Sequence, residues 1–147
     1  MAIPKKIREA VYAKFDGHCA YCGCEITMKD MQVDHIQPVM RNYDESTAEH
    51  YGWGKKGTDD LDNLNPSCRQ CNFYKGMGNI EDLRRKISSW LDYKHTFATK
   101  LALKYGILVE HKWDGQFYFE KVRKAALEAQ NTEYDYGHNV CHHPSEE

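Results

Sequence analysis

The chain has 147 residues, and its 20 Lys and Arg against 22 Asp and Glu give a formal net charge of −2. This length predicts one domain, and a hydrophobic content of 41% with a mean hydropathy of −0.80 allows a core of modest size. The sequence contains no apolar run of membrane-spanning length and no apolar signal segment after Met1, so we expect neither a membrane nor a secreted protein.

The first predicted element is a helix over residues 4–15. Pro4 suits a first helical turn, and apolar residues recur every four positions from Ile7 to Phe15. Gly17 can end this helix in a left-handed conformation. We expect its apolar face to pack on the cysteine-containing segment that follows at once.

The middle of the chain predicts two short strands separated by a long loop. Residues 31–39 alternate loosely between apolar and polar types, which favours a strand that carries Asp34 and His35. The polar segment 41–60 predicts a loop without regular structure, and such long loops are usually functional or mobile. Residues 61–64 predict the second strand.

Helices dominate the next predicted stretch. Pro66 is expected to start a helix over residues 67–75, which Gly76 then ends. Residues 80–105 carry an apolar stripe at helical spacing, with a possible break near residues 93–96.

The last part of the chain predicts a β-hairpin, a short helix and a tail. Asp114-Gly115 separates two apolar runs within residues 107–120, which favours a hairpin turn. Residues 121–130 predict a last short helix, and the acidic segment 131–147 is expected to be flexible.

Two Cys-x-x-Cys pairs predict a structural zinc site. Cys19 and Cys22 form the first pair, and Cys68 and Cys71 form the second. Four thiolates complete a tetrahedral Zn²⁺ shell and leave no position open for substrate. Without an export signal we expect a reducing, cytoplasmic location, so metal ligands are favoured over the alternatives of disulfides or free thiols. Cys24 is assigned no ligand role, because two cysteines in Cys-x-Cys spacing rarely bind the same zinc ion.

An acid, a base and an amide would be brought together by that zinc. Tying the two cysteine pairs to one ion places Asn72 near the strand that carries Asp34 and His35. Carboxylate and amide oxygens can jointly bind a hard cation such as Mg²⁺. A neutral histidine can accept a proton from water, so this arrangement predicts machinery for phosphodiester hydrolysis.

These residues resemble the zinc-containing branch of the HNH nuclease family, in its variant with a final Asn. The motif consists of Cys19/Cys22, Asp34-His35-Ile36-Gln37-Pro38, Asn63-Leu64, Cys68/Cys71 and Asn72-Phe73-Tyr74-Lys75. The resemblance covers roughly the first half of the chain. It implies an α+β fold with a ββα-metal core, which we expect to be flanked by helices and the C-terminal β-hairpin.

The resemblance also implies a role for each motif residue. His35 would be the general base that activates water, and Asn63 would orient the His35 ring or the loop that carries it. Asp34 and Asn72 would hold the catalytic Mg²⁺ or Mn²⁺ ion. The implied products carry 5′-phosphate and 3′-hydroxyl ends.

Double-stranded DNA is the expected partner, with phosphate contacts predicted at Arg41, Arg69 and Lys75. A net charge of −2 leaves room for a protein partner that supplies further DNA affinity. Two alternatives stay open: a zinc-containing nucleic-acid-binding module without catalysis, and an effector or toxin nuclease that acts on RNA. A phage or bacterial origin is expected.

The predicted organisation has three parts. Residues 1–79 would form the HNH core with its zinc, residues 80–130 a helical and hairpin extension packed on the core, and residues 131–147 the acidic tail.

Overall fold

The computed structural model of the chain describes residues 3–50, 56–89 and 96–138. Within these residues it contains two strands, β1 (Gln32–His35) and β2 (Leu64–Ser67), and a 3-10 turn (Leu61–Asn63) directly before β2. The helices are α1 (Lys5–Ala13), α2 (Glu45–His50), α3 (Arg69–Lys75), α4 (Ile80–Ser88), α5 (Phe97–Lys104) and α6 (Tyr118–His138). The predicted α+β class is therefore confirmed.

The two strands pair antiparallel and support helix α3. Asp34 lies opposite Asn65 in the register, and His35 lies opposite Leu64. All four residues of β2 are buried, and α3 follows this strand directly and contacts β1. The chain order of two strands and one helix matches the expected ββα core.

Helix α1 covers one side of this sheet. Its Val11 packs with Met31 and Leu64, and these three side chains are at most 2% exposed. Full burial of an aliphatic side chain contributes about 1.5–3 kcal/mol to stability. The ammonium group of Lys14 donates to the backbone carbonyl oxygens of Leu61 at 3.1 Å and Leu64 at 2.6 Å, which ties the helix to the start of β2.

A second apolar cluster joins later parts of the chain to the first cysteine loop. Tyr21 in that loop packs with Leu83 from α4 and with Phe117 and Phe119 near the start of α6. Helix α4 begins at a capping box in which the side chain of Asn79 and that of Asp82 each bond the other's backbone N–H at 2.9 Å. Leu83 of α4 and the residues at the start of α6 are thus packed on the cysteine loop.

The predicted C-terminal β-hairpin is wrong. Residues 107–117 contain no strand in this fully described stretch, and the apolar side chains of Ile107 and Val109 are mostly exposed. Instead, the backbone N–H groups of Tyr118 and Phe119 donate to the carbonyl oxygens of Tyr21 and Ala20 at 3.1 and 2.9 Å. The second half of the predicted hairpin pairs with the cysteine loop, because Phe117 and Phe119 gain burial there.

The predicted loop 41–60 contains a helix, α2. Asp44 precedes it and accepts hydrogen bonds from the Thr47 backbone N–H at 2.7 Å and from the Ser46 hydroxyl at 2.9 Å. Hydrogen bonding by the Thr47 side chain, followed by these bonds from the Thr47 backbone and the Ser46 hydroxyl, lowers the pKa of Asp44 to about 2. An Asp before a Ser-Thr pair is a helix-start signal that the polar composition of the loop obscured.

The second strand begins three residues later than predicted. Pro66 lies inside β2, where its carbonyl oxygen accepts from the Ala20 N–H at 2.8 Å, and it does not start the helix. Helix α3 starts at Arg69, with Cys68 as its N-cap. The thiol of Cys68 accepts from the Cys71 N–H and supplies the capping bond.

The predicted helix over residues 80–105 corresponds to α4 and α5, and its expected break at 93–96 falls mostly on residues 90–95, outside the described residues. Helix α6 reaches His138 and so includes the first residues of the expected flexible tail. The remainder of that tail, residues 139–147, also lies outside the described residues. In the described part of the chain, no helix is both long enough and apolar enough to span a membrane.

Candidate active site and metal centre

The four cysteines of the two Cys-x-x-Cys pairs lie together. Their Sγ atoms are all within 4.8 Å of one another, and those of Cys22 and Cys68 are 3.9 Å apart. Four sulfur atoms around a zinc ion at about 2.3 Å would be separated by about 3.8 Å, so this donor set fits a tetrahedral Zn²⁺ ion. Cys24 is exposed and does not belong to the group.

The closeness of these sulfur atoms also favours a site for a cation. The hydrogen bond from Cys71 is the largest cause that lowers the pKa of Cys19, to about 4. Burial raises the pKa of Cys22 to about 12. Sulfur atoms this close together cannot all carry negative charge without a positive ion among them, and a zinc ion provides that charge.

Asp34 is buried and already engaged by two neighbours. Its Oδ2 accepts a short hydrogen bond from the hydroxyl of Tyr21, and the Lys75 ammonium lies 3.2 Å from Oδ1 and 3.1 Å from Oδ2. Burial is the largest influence on Asp34 and raises its pKa, while Lys75 and Tyr21 act in the opposite direction. Lys75 therefore compensates a carboxylate charge inside the fold.

The buried position of Lys75 does not favour the predicted phosphate contact. The side chain is 2% exposed, and its ammonium group also donates to the His35 carbonyl oxygen at 2.7 Å. The ammonium group of Lys75 is therefore engaged by Asp34 and the end of β1, and the residue forms part of the lining of the groove described below. Its place at the end of α3 connects that helix to β1.

His35 occupies the more open face of β1. The His35 side chain is more exposed than that of the buried Asp34. Its ring is 22% exposed, and Nε2 lies 2.9 Å from Oδ1 of Asp59. Arg41 donates to the same carboxylate oxygen at 2.8 Å.

Asn63 binds the loop that follows β1 and not the His35 ring. Its Oδ1 accepts from the Gln37 N–H at 2.9 Å, and its Nδ2 donates to the carbonyl oxygens of Gln37 at 2.9 Å and Thr58 at 2.8 Å. This one side chain joins the two ends of the loop that separates the strands.

Most of the predicted site residues of β1 and α3 line one groove. It has a volume of about 1010 Å³ and is lined by Asp34, His35 and Asn72, together with Arg41. Arg69 is exposed, and among the described residues it is not part of the groove lining.

Comparison with known proteins identifies this part of the chain. The HNH endonuclease family matches residues 19–77. These residues form an HNH endonuclease domain. The match supports a nuclease-type, hydrolytic function for residues 19–77.

The chain is also similar to the crystal structure of the Type II-C Cas9 enzyme from Actinomyces naeslundii. The two share 23% sequence identity with a TM-score of 0.42 over 55% of this chain, which corresponds to 8% of the Cas9 chain. No curated protein matches this chain significantly.

Asp34 would hold a hard cation only weakly, because most of its oxygen lone pairs already have partners. A carboxylate offers about four acceptor directions, and Tyr21 and Lys75 use three of those of Asp34. One direction remains for an ion that would also bind Asn72 and complete its shell with water and phosphate oxygens.

Sequence reasoning missed two residues of this site and did not foresee the buried partners of a third. Tyr21 lies between two cysteines, so it was interpreted only as part of the cysteine turn. Lys75 was assigned to the surface because charged residues are usually exposed. Asp59 belongs to no motif, and no sequence signal connects it to His35.

Proposed function

We propose that this chain is a metal-dependent DNA endonuclease that hydrolyses phosphodiester bonds and leaves 5′-phosphate and 3′-hydroxyl ends. The observation that carries the proposal is the shared groove. Within a matched HNH domain, an acid, a base and an amide, Asp34, His35 and Asn72, line the same groove.

His35 would act as the general base. Its ring accepts a proton from a water molecule, whose oxygen attacks the phosphorus atom while the bond from phosphorus to the 3′ oxygen breaks. Asp34 and Asn72 would hold a Mg²⁺ or Mn²⁺ ion, whose chemistry is to stabilise negative charge on the phosphate and the leaving oxygen.

The other site residues would support this arrangement. Arg41 lines the groove and is the best-placed of the predicted phosphate contacts. Arg69 is exposed on α3 and would contact more distant phosphates. The cysteine centre would hold a zinc ion that keeps α3, and therefore Asn72, in place beside β1.

The decisive assay incubates the purified chain with supercoiled plasmid in Mg²⁺ or Mn²⁺, before and after brief EDTA treatment. Because two oxygen ligands hold an ion weakly and four thiolates hold one firmly, EDTA should abolish cleavage while the zinc content stays at one equivalent. Added Mg²⁺ or Mn²⁺ should restore cleavage. Full activity in EDTA would contradict the proposal.

The base is tested by a His35→Ala variant. Loss of a general base costs on the order of 10²–10⁴-fold in rate, whereas DNA affinity should persist because the phosphate contacts remain. His111→Ala is the matched control, since His111 is exposed in the segment before α6. Cleavage by His35→Ala at the wild-type rate would show that another group is the base.

A nucleic-acid-binding module without catalysis is the second candidate. The observation that favours it is the buried ion pair, since Asp34 already neutralises Lys75. Such a module would bind DNA or RNA in filter-binding assays and cut neither under any metal condition. An RNA substrate in the same cleavage assay tests the RNA-directed alternative.

A further inference from the structure

An exposed carboxylate at the groove links the proposed base to a cation. Asp59 Oδ1 lies 2.9 Å from Nε2 of His35 and 2.8 Å from a guanidinium nitrogen of Arg41. The three side chains are 22%, 57% and 60% exposed for His35, Asp59 and Arg41. His35 is therefore the more enclosed end of this chain of contacts.

We propose that Asp59 is a positioning residue that holds the His35 ring with its Nε2–H directed at the carboxylate, so that Nδ1 is the atom that accepts the proton from water. The inference rests on the proposed function of His35 as the base. In a neutral imidazole one nitrogen carries the proton and the other accepts, and a carboxylate beside Nε2 selects which.

The proton count agrees with this arrangement. The proton of the attacking water moves to Nδ1, while the Nε2 proton stays in place in its hydrogen bond to Asp59. The resulting imidazolium lies beside a carboxylate, so its positive charge is stabilised. The hydrogen bond from His35, followed by that from Arg41, lowers the pKa of Asp59 and keeps it ionised.

The backbone around Asp59 holds this side chain near His35. The preceding residue, Thr58, accepts from Asn63 at 2.8 Å through its carbonyl oxygen. One residue earlier, the Gly57 N–H donates to the Pro38 carbonyl oxygen at 2.8 Å. Both ends of the loop are therefore fixed to each other beside the carboxylate, which distinguishes this contact from an isolated surface ion pair.

Arg41 connects the contact between Asp59 and His35 to the expected position of a DNA phosphate. One guanidinium nitrogen binds Asp59, and the planar group presents further N–H donors that can meet a phosphate. Binding of DNA at Arg41 and orientation of His35 would thus involve the same carboxylate.

The test combines ring spectroscopy with kinetics on the intact chain. The His35 signals in long-range ¹H–¹⁵N spectra are assigned by their loss in His35→Gln. The wild type should show the Nε2–H tautomer of His35, whereas Asp59→Ala should show a mixture of the Nε2–H and Nδ1–H tautomers. On plasmid DNA, Asp59→Ala should lower kcat about 10- to 100-fold with little change in KM, because a misplaced base affects the chemical step. Asp59→Glu should restore part of the loss.

Asp60→Ala is the matched control, since it removes the same charge from the adjacent exposed residue, and it should match the wild type in both measurements. An unchanged tautomer in Asp59→Ala would overturn the inference whatever the activity, and so would an unchanged kcat. If the chain cut no nucleic acid while the tautomer still depended on Asp59, the positioning of His35 would be supported and the nuclease proposal refuted.

Discussion

Replacing Lys75 by methionine should strongly destabilise the protein, because it removes the counter-charge of a buried carboxylate. Lys75 and Asp34 are 2% and 7% exposed, and their charged atoms are 3.1 Å apart. Methionine has a similar length and no charge, so packing around the side chain is largely kept. The variant keeps a buried Asp34 carboxylate without a positive counter-charge and a His35 carbonyl oxygen that has lost its hydrogen-bond donor.

The size of the effect follows from the geometry. Two unit charges 3.1 Å apart interact by about 5 kcal/mol at an effective dielectric constant of about 20. Removal of one partner from a buried ion pair usually costs about 3–5 kcal/mol. For a chain of this length, that loss lowers Tm by roughly 10 °C.

Urea unfolding followed by circular dichroism measures this loss, with zinc content determined in parallel to show that the cysteine centre stays intact. Lys5→Met is the control, because Lys5 pairs with Glu9 at 3.7 Å on the surface with 91% of its side chain exposed. That variant should lose less than about 0.5 kcal/mol. Adding Asp34→Asn to Lys75→Met should recover much of the loss, with a coupling on the order of 2–3 kcal/mol.

The stability deficit of Lys75→Met should depend on pH. Burial raises the pKa of Asp34, so the ionised form costs stability, and this cost appears as pH rises through the folded-state pKa. Without Lys75 the pKa rises further. The deficit of Lys75→Met should therefore shrink from neutral to mildly acidic pH while zinc is still bound. A deficit below 1 kcal/mol at neutral pH, or one independent of pH, would refute the reasoning.

Three further predictions follow from the zinc centre and the loop. Cys68→Ser should lose zinc and unfold the N-terminal half, because the free energy of zinc binding contributes directly to the free energy of folding. Cys24→Ser should keep one zinc ion per chain, as measured by elemental analysis. A Cys68→Ser chain that is folded and free of zinc would contradict this prediction. Asn63→Ala removes the hydrogen bonds that join the loop ends. It should lower the free energy of unfolding in urea by about 1–3 kcal/mol and slow cleavage. Wild-type stability and cleavage rate would show that Asn63 does not hold the loop ends together. Gly57→Ala would drive a methyl group into the Gln37 carbonyl oxygen and the Asn63 amide and should lower Tm in a thermal scan by several degrees, and an unchanged Tm would show that the loop has room.

The structure differs from the sequence-based prediction where a segment packs against residues that are distant in the chain. The hairpin expected at Asp114-Gly115 does not form, because Phe117 and Phe119 are buried against Tyr21 instead. Turn chemistry acts between neighbours in the chain, whereas this burial depends on a loop almost a hundred positions earlier. Lys75 was misplaced for the same reason, since its partner Asp34 is 41 residues away.

The sequence by itself determined the class of the fold, the cysteine centre and the family resemblance, because ligand spacing and helical periodicity are local properties. The roles assigned to His35, Asn63 and the proposed metal ligands remain predictions that rest on that resemblance. Only the tertiary structure showed that Asp34 is held by Lys75 and that His35 is held by Asp59. Those contacts connect segments far apart in the chain, and their energies depend on burial and on distances of about 3 Å that no local pattern encodes.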